Sequence, residues 1–274
     1  MQIALKDTAL SAGRRYLGPA ARRIRREIQW ATSGADYRVR RSPEHLPFAI
    51  ASHQTPLIRA LSGLDVRLQR NKIVNLCIAA ERLDGIVLEP GQRLSFWREV
   101  RKPTARRGYL PGLVLDHGKL GEGIGGGLCQ MTNLLYWMTL HTPLDVVERW
   151  RHSYDVFPDA ARTQPFGSGA TCAWPVLDLQ IENPTTARYR LSLRVSDTHL
   201  EGAWRADQPV GVRYRIDERA HRFTHEGPGR FVRHNELWKI QVDPGTDEPV
   251  HESLVAVNNA LMMYEPFLPE GRTS

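Results

Sequence analysis

The sequence predicts an α+β fold: one main domain in which a central helix, entered from a glycine-rich loop, packs on a mostly antiparallel sheet. Three observations predict it. Apolar residues recur at spacings of three and four in residues 66–83 and 128–141, the mark of a buried helix face. Short alternating runs fill the second half, separated by turn dipeptides. The glycine run Gly121–Gly127 leads into the second helix as a flexible elbow, placing that helix at the centre of the chain with the strands mostly after it.

The chain begins with a basic arm, residues 1–41. Ten Lys and Arg (Lys6 and nine arginines) face only Asp7, Glu27 and Asp36, so the arm carries +7, the formal charge of the whole chain. After Pro19 the sequence reads as a helix with Arg22, Arg23, Arg25 and Arg26 beside Ile24, Ile28 and Trp30. Two readings stay open: a helix lying on an anionic membrane surface, or a helix docked on the domain. No base-reading module accompanies the charge, so nucleic acid is not an expected partner. Residues 42–65 read as a linker-like segment, because Pro and Ser punctuate each short apolar piece.

The main domain is expected over residues 66–268, followed by a short tail, 269–274. Leu68, Ile73, Leu76, Ala80 and Leu83 mark a first helix from Val66 to Leu83, with Gly85 as its stop. IVLEPGQRLSFW has the form strand, Pro-Gly turn, strand, and GYLPGLVLDHGKLGEG that of a hairpin. Leu128, Met131, Leu135 and Met138 line one face of the central helix. LDVVERWRHSYDVF reads as a strand. Leu177–Glu182 and Arg188–Val195, joined by Asn183-Pro184, are expected to pair, and Val210–Ile216 and Arg230–Val242 to form two more strands.

Composition excludes several classes. No apolar run approaches the roughly 20 residues of a membrane span, and the N-terminus lacks the order of a secretion signal, so a cytoplasmic location is expected. Three scattered cysteines, Cys77, Cys129 and Cys172, make neither a disulfide framework nor a CxxC zinc site. Cys77 reads as a small buried hydrophobe. His117, Cys129, His152 and Cys172 lack the short paired spacing of a zinc motif, so no metal is expected. The nominal Gly121-x-Gly123-x-x-Gly126 is no dinucleotide fingerprint, and no Gly-Lys-Ser/Thr follows it; no cofactor is expected.

Chemistry concentrates at the end of the glycine run. Cys129 falls in the first turn of the central helix, where amide N–H groups and the helix dipole favour a thiolate. Gly125, Gly126 and Gly127 can offer N–H groups to an oxyanion or carboxylate, Gln130 is a candidate oxyanion donor, and Asn133 lies one turn on. In ERWRHSYD, His152 is a candidate base, Glu148 and Asp155 are candidate orienting acids, and Arg149 a candidate cation for a carboxylate. The bland alternative is a buried thiol filling a tight helix start. Trp97, Trp137, Trp150, Trp174 and Trp204 could line a glycan groove, though aromatics so spaced are mostly core.

LDGIVLEPGQRLSFWREV, GGGLCQMTNLLYWMTLHTPL, VVERWRHSYDVFP and VLDLQIEN, in this order and spacing, resemble the VanW-like family, strongly from Lys72 to Trp204. These are bacterial proteins named from a gene found in some vancomycin-resistance clusters. The resemblance implies a cell-wall or glycopeptide-resistance context, with a peptidoglycan-type peptide or precursor as the partner, and assigns no reaction. A cytoplasmic protein would reach only precursors, at the inner membrane face. The family usually carries Gly-x-Asp-Ala-Thr where this chain has Gly167-Ser168-Gly169-Ala170-Thr171, so Gly169 stands in place of the acid. Two functions follow as expectations: a cysteine-dependent acyl-transfer or amide-hydrolysing enzyme, or a non-catalytic accessory protein that binds a peptide carboxylate.

Overall fold

The computed structural model describes residues 18–58, 65–116, 119–155 and 164–264. Helix α1 (Pro19–Thr32) starts, as proline at a first helical position allows, directly after Gly18. Helix α2 (Val66–Leu83) is capped by Asp65, whose carboxylate accepts the Arg67 N–H. It ends where Gly85 takes a φ of +78°, a conformation open to glycine at no steric cost. A short helix α3 (Phe96–Val100) follows a Ser95 cap, and α4 (Cys129–Leu140) is the central helix.

Fourteen strands form four sheets among the described residues. The largest, in the order β1 (Arg40–Arg41), β3 (Ile86–Leu88), β10 (Tyr189–Val195), β11 (His199–Ala206), β2 (Phe48–Pro56), is antiparallel throughout. A three-stranded antiparallel sheet joins β4 (Arg93–Ser95), β9 (Gln180–Glu182) and β7 (Asp145–Glu148). β5 (Pro111–Asp116) and β6 (Lys119–Ile124) pair as the expected hairpin. The long strands β12 (Arg213–His225), β13 (Phe231–Val242) and β14 (Pro249–Met262) form an antiparallel sheet, with β8 (Tyr154–Asp155) added parallel to β14.

The core lies between α2, α4 and the five-stranded sheet. Leu76, Leu83, Leu134, Leu135, Met138, Leu191 and Trp204 are all buried there. Burying each such side chain contributes about 1.5–3 kcal/mol. Gly202 on β11 lets α4 sit close: a Cβ there would come 2.7 Å from Met138 Cε and 3.0 Å from Leu134 Cδ2. This contact fixes the height of α4 on the sheet, and with it the position of Cys129.

Several expected pairings differ. The strands on either side of Pro90-Gly91 do not pair with each other; β3 enters the large sheet and β4 the small one. The strands flanking Asn183-Pro184 part in the same way. The physical reason is Asn183, whose side chain donates to Leu88 O and Ala187 O and accepts from the Thr185 N–H, folding the loop onto β3 instead of into a hairpin turn. The linker-like segment holds β2, a nine-residue strand paired with β11, whose in-sheet partners outweigh its punctuation by Pro and Ser. LDVVERWRHSYDVF is not one strand: β7 ends at Glu148 and β8 begins at Tyr154. β11 and β14 have no counterpart in the sequence reading. Cys77 is only partly buried.

Candidate thiol site

The amino end of α4 is held by close backbone packing. A Cβ on Gly126 would lie 2.1 Å from the Gly112 backbone, and one on Gly127, at φ +89°, 2.2 Å from Lys72. Gly125, at φ +78°, presses on Pro103. The glycines are thus explained by steric contact with β5 and α2. Asn75 of α2 completes the seam, donating to Gly126 O at 2.9 Å. The Gly125 and Gly126 amides are spent on Leu110 O and Gly123 O. The amides of Gly127, Leu128 and Cys129 find no acceptor among the described residues, as expected of a helix start.

One face of α4 grips the segment around residue 170. Asn133 Oδ1 accepts the Ala170 N–H at 2.7 Å, and Thr132 donates to Ala170 O at 2.6 Å. On its other side this segment bridges Trp150: the Thr171 N–H reaches Trp150 O at 2.7 Å. These links bring three elements to one point. Cys172 Sγ lies 3.9 Å from Cys129 Sγ, and Cys172 O lies 3.7 Å from the same sulfur. His152 lies near enough to Cys129 to favour its ionised form. Both cysteines are partly buried.

The two thiols titrate as a pair. The hydrogen bond from the Cys172 thiol holds Cys129 well below the ordinary cysteine range, His152 adds to this, and burial opposes it. Burial first, and then the neighbouring Cys129 sulfur, push Cys172 well up. The asymmetry has a simple cause: the imidazole sits beside Cys129, whereas the charge near Cys172 is that of buried Asp178. The first proton therefore leaves Cys129. Cys172 entered the sequence reading only as a metal ligand; nothing in its neighbours signals that Thr171 pairs with Trp150. Among the described residues no group of three or more His, Cys, Asp or Glu could hold a metal ion. His117 lies outside the described residues.

The other sequence-derived candidates hold the scaffold. Gln130 donates its amide to Thr55 Oγ1 and Pro56 O on β2. Arg149 clasps Gly167 O and Gly169 O and lies 4.8 Å over the Tyr136 ring. Asp155 accepts from Tyr264 at 2.8 Å and faces Arg233 at 3.5 Å. Glu148 points away from the thiols into a buried network. Arg26 of α1 grips it with two bonds of 2.7 Å, and Gln180 and the Trp150 indole donate to it as well. Asp178 completes this network, accepting from Ser95 at 2.6 Å and from the Trp97 N–H; burial, with the Glu148 charge adding, pushes its carboxyl up to about 6. No carboxylate among the described residues hydrogen-bonds the His152 ring. At Gly169 a Cβ would come 2.8 Å from Asn133 Oδ1, so an acid there would displace the Asn133–Ala170 clamp.

What these elements define is an α+β protein with a dithiol and an imidazole at the start of a helix locked by glycines. The family model described as "VanW like protein" matches residues 71–205, which contain all three side chains. The chain is 33% identical over 225 residues to the vancomycin B-type resistance protein VanW of Enterococcus faecalis, covering 82% of this chain and 81% of that one. It belongs to the VanW-like family. It is also 30% identical over 109 residues to the Bacillus subtilis protein YoaR, printed as uncharacterized, covering 40% of this chain and 34% of that protein. No solved structure matches.

Proposed function

We propose that this protein is a cysteine-dependent acyl-transfer or amide-hydrolysing enzyme acting on a cell-wall-type peptide or precursor. The observation that carries the reading is the convergence of Cys129, His152 and the Cys172 thiol at a helix start whose three amides find no acceptor among the described residues. The substrate class comes from the name of the Enterococcus relative, a vancomycin resistance protein.

In this scheme the Cys129 thiolate attacks the carbonyl carbon. The oxyanion that forms is met by the amides of Gly127, Leu128 and Cys129, a role in which one well-placed donor is worth roughly 2.7–4 kcal/mol. His152, as imidazolium, gives its proton to the leaving amine, and water or an acceptor amine then releases the acyl group from sulfur. The Cys172 thiol serves as the hydrogen-bond donor that keeps Cys129 ionised between turnovers. The accessory-protein alternative loses one of its supports, because Arg149, its carboxylate cation, is occupied by two backbone carbonyls.

The test is to incubate the full chain with a synthetic stem peptide of the cell-wall type and analyse the intact protein by mass spectrometry. An acyl adduct on Cys129, absent from Cys129→Ser, is the expected result. Peptide binding that leaves no adduct and is unchanged in Cys129→Ser would support the accessory reading instead.

A further inference from the structure

A second feature lies outside the thiol site. A cleft of about 790 Å³ is lined by Arg23 of α1, Arg41 of β1, Arg82 of α2, Arg98 of α3, and Arg101, Lys102, Arg106 and Arg107 from the loop that follows, with Trp30, Trp97 and Trp174 among its other walls. The volume is that of a small-molecule site. Eight basic side chains face two acids, Glu27 and Glu99. Glu27 pairs with Arg23 at 3.5 Å; among the described residues no carboxylate lies within salt-bridge distance of the other seven. Burial pushes the Glu99 carboxyl up, against the pull of Arg98, Arg101 and Arg41.

The tryptophans form a connected wall. Trp174 meets Trp97 edge-on at 5.8 Å and Trp30 at 6.3 Å. A further sign comes from the backbone. Arg101 ends α3 at φ 61°, ψ 178°, a region used almost only by glycine. A strained arginine at the mouth of a cationic cleft costs stability without a packing return, since Arg101 is exposed. Unpaired positive charge gathered from four elements and a strained cation both call for an anion with several charges. A single carboxylate would meet one or two of these side chains and leave the rest repelling.

We infer that this cleft binds a diphosphate-type group, free or carried by a larger ligand, held by Arg101, Lys102, Arg106 and Arg107, with an adjoining ring or sugar face against Trp174, the one partly open tryptophan of its wall; Trp30 and Trp97 are buried behind it. The site does not depend on Cys129 chemistry, so the two proposals fail separately. Inorganic pyrophosphate is the probe, titrated calorimetrically into the full chain at about 0.01 M and about 0.15 M ionic strength, where screening lengths are about 30 and about 8 Å. One saturable site is expected, weaker at the higher salt and unchanged in Cys129→Ser. Arg101→Gly/Lys102→Ala should weaken it about tenfold, or about 1.4 kcal/mol. Arg101→Gly alone should keep or raise Tm while weakening binding, a split that a structural role for Arg101 would not produce. Arg106→Ala, on an exposed turn, gives an independent variant should the double one fail to fold. Vesicles bearing anionic phospholipid distinguish the source: binding displaced by pyrophosphate assigns the group to a lipid headgroup, and no vesicle binding assigns it to a free ligand. No saturable heat, binding by the variants equal to wild type, or vesicle binding that pyrophosphate cannot displace would overturn the proposal.

Discussion

Two clusters of ionisable groups lie a few residues apart in sequence and behave in opposite ways. In one, Arg26 and Asp178 are buried beside the partly buried Glu148, and each charge has partners on several sides. In the other, Cys129, Cys172 and His152 are partly open, and the helix amides beside them have no acceptor among the described residues. His152 lies only four positions after Glu148, and Asp178 six positions after Cys172. The first cluster anchors the basic helix to the domain; the second is arranged to meet something from outside. Proximity in sequence therefore says little about role. What matters is whether the polar groups are already satisfied.

The largest expected effect belongs to the first cluster. Arg26→Ala removes a buried guanidinium and leaves the partly buried Glu148 without its cation, and should cost about 3 kcal/mol in urea unfolding. Cys129→Ser, by contrast, should cost no more than about 1 kcal/mol. Equal losses would erase the distinction between the clusters.

Asp178 gives the next effect, and its sign is definite. Its folded value of about 6 lies above the ordinary carboxyl value of 3.8, so the native state holds the proton more tightly than the unfolded chain. The associated stability is full below pH about 4 and lost as pH rises through about 6, amounting to about 2–3 kcal/mol. Urea midpoints from pH 4 to 7 should fall with pH in wild type through this component, and Asp178→Asn should flatten that part of the curve. An unchanged slope in the variant would remove Asp178 as its source.

On the open side the effects are smaller. His152→Ala should raise the pH at which Cys129 alkylates, by less than Cys172→Ala does, since the Cys172 thiol is the larger of the two influences. Restoring the family acid sharpens the comparison further. Gly169→Asp should cost about 1 kcal/mol by displacing Asn133 from the Ala170 N–H. If the new carboxylate instead raises stability and shifts the alkylation profile, it has found His152, and the missing acid was a functional loss.

The sequence made the helices legible because their apolar spacing is local: Val66–Leu83 and Cys129–Leu140 follow from it within a residue or so. The glycine elbow before Cys129 was legible too, because a glycine cluster marks positive φ or close approach, and the structure shows both: Gly125 and Gly127 have positive φ, and the run packs against Gly112 and Lys72. Strand partners beyond the β5–β6 hairpin were not legible. Whether the runs flanking Asn183 pair with each other depends on what the Asn183 side chain bonds, and Leu88 is 95 residues away. The same limit hid the partner of Cys129. Cys172 lies 43 residues on, and only the bridge between Trp150 and Thr171 places it there. Glu148 was misplaced because period-two alternation put it on one face with His152, whereas the strand ends at Glu148 and Arg26 draws that carboxylate under α1. The basic helix itself was legible, and the structure docks it: Trp30 is buried against Trp174, while Ile24 and Ile28 stay exposed. No helix among the described residues is long and apolar enough to cross a membrane.

The central claim, that the open cluster keeps an ionised thiol, is tested most directly by the alkylation rate of Cys129 across pH 5 to 9, followed by peptide mass spectrometry in a Cys77→Ala background. The account predicts an inflection well below the free-thiol value of about 8.5, moved upward by Cys172→Ala and by His152→Ala, with the larger shift from Cys172→Ala. A Cys129 that reacts only above pH about 9, or only once the protein is unfolded, would contradict it.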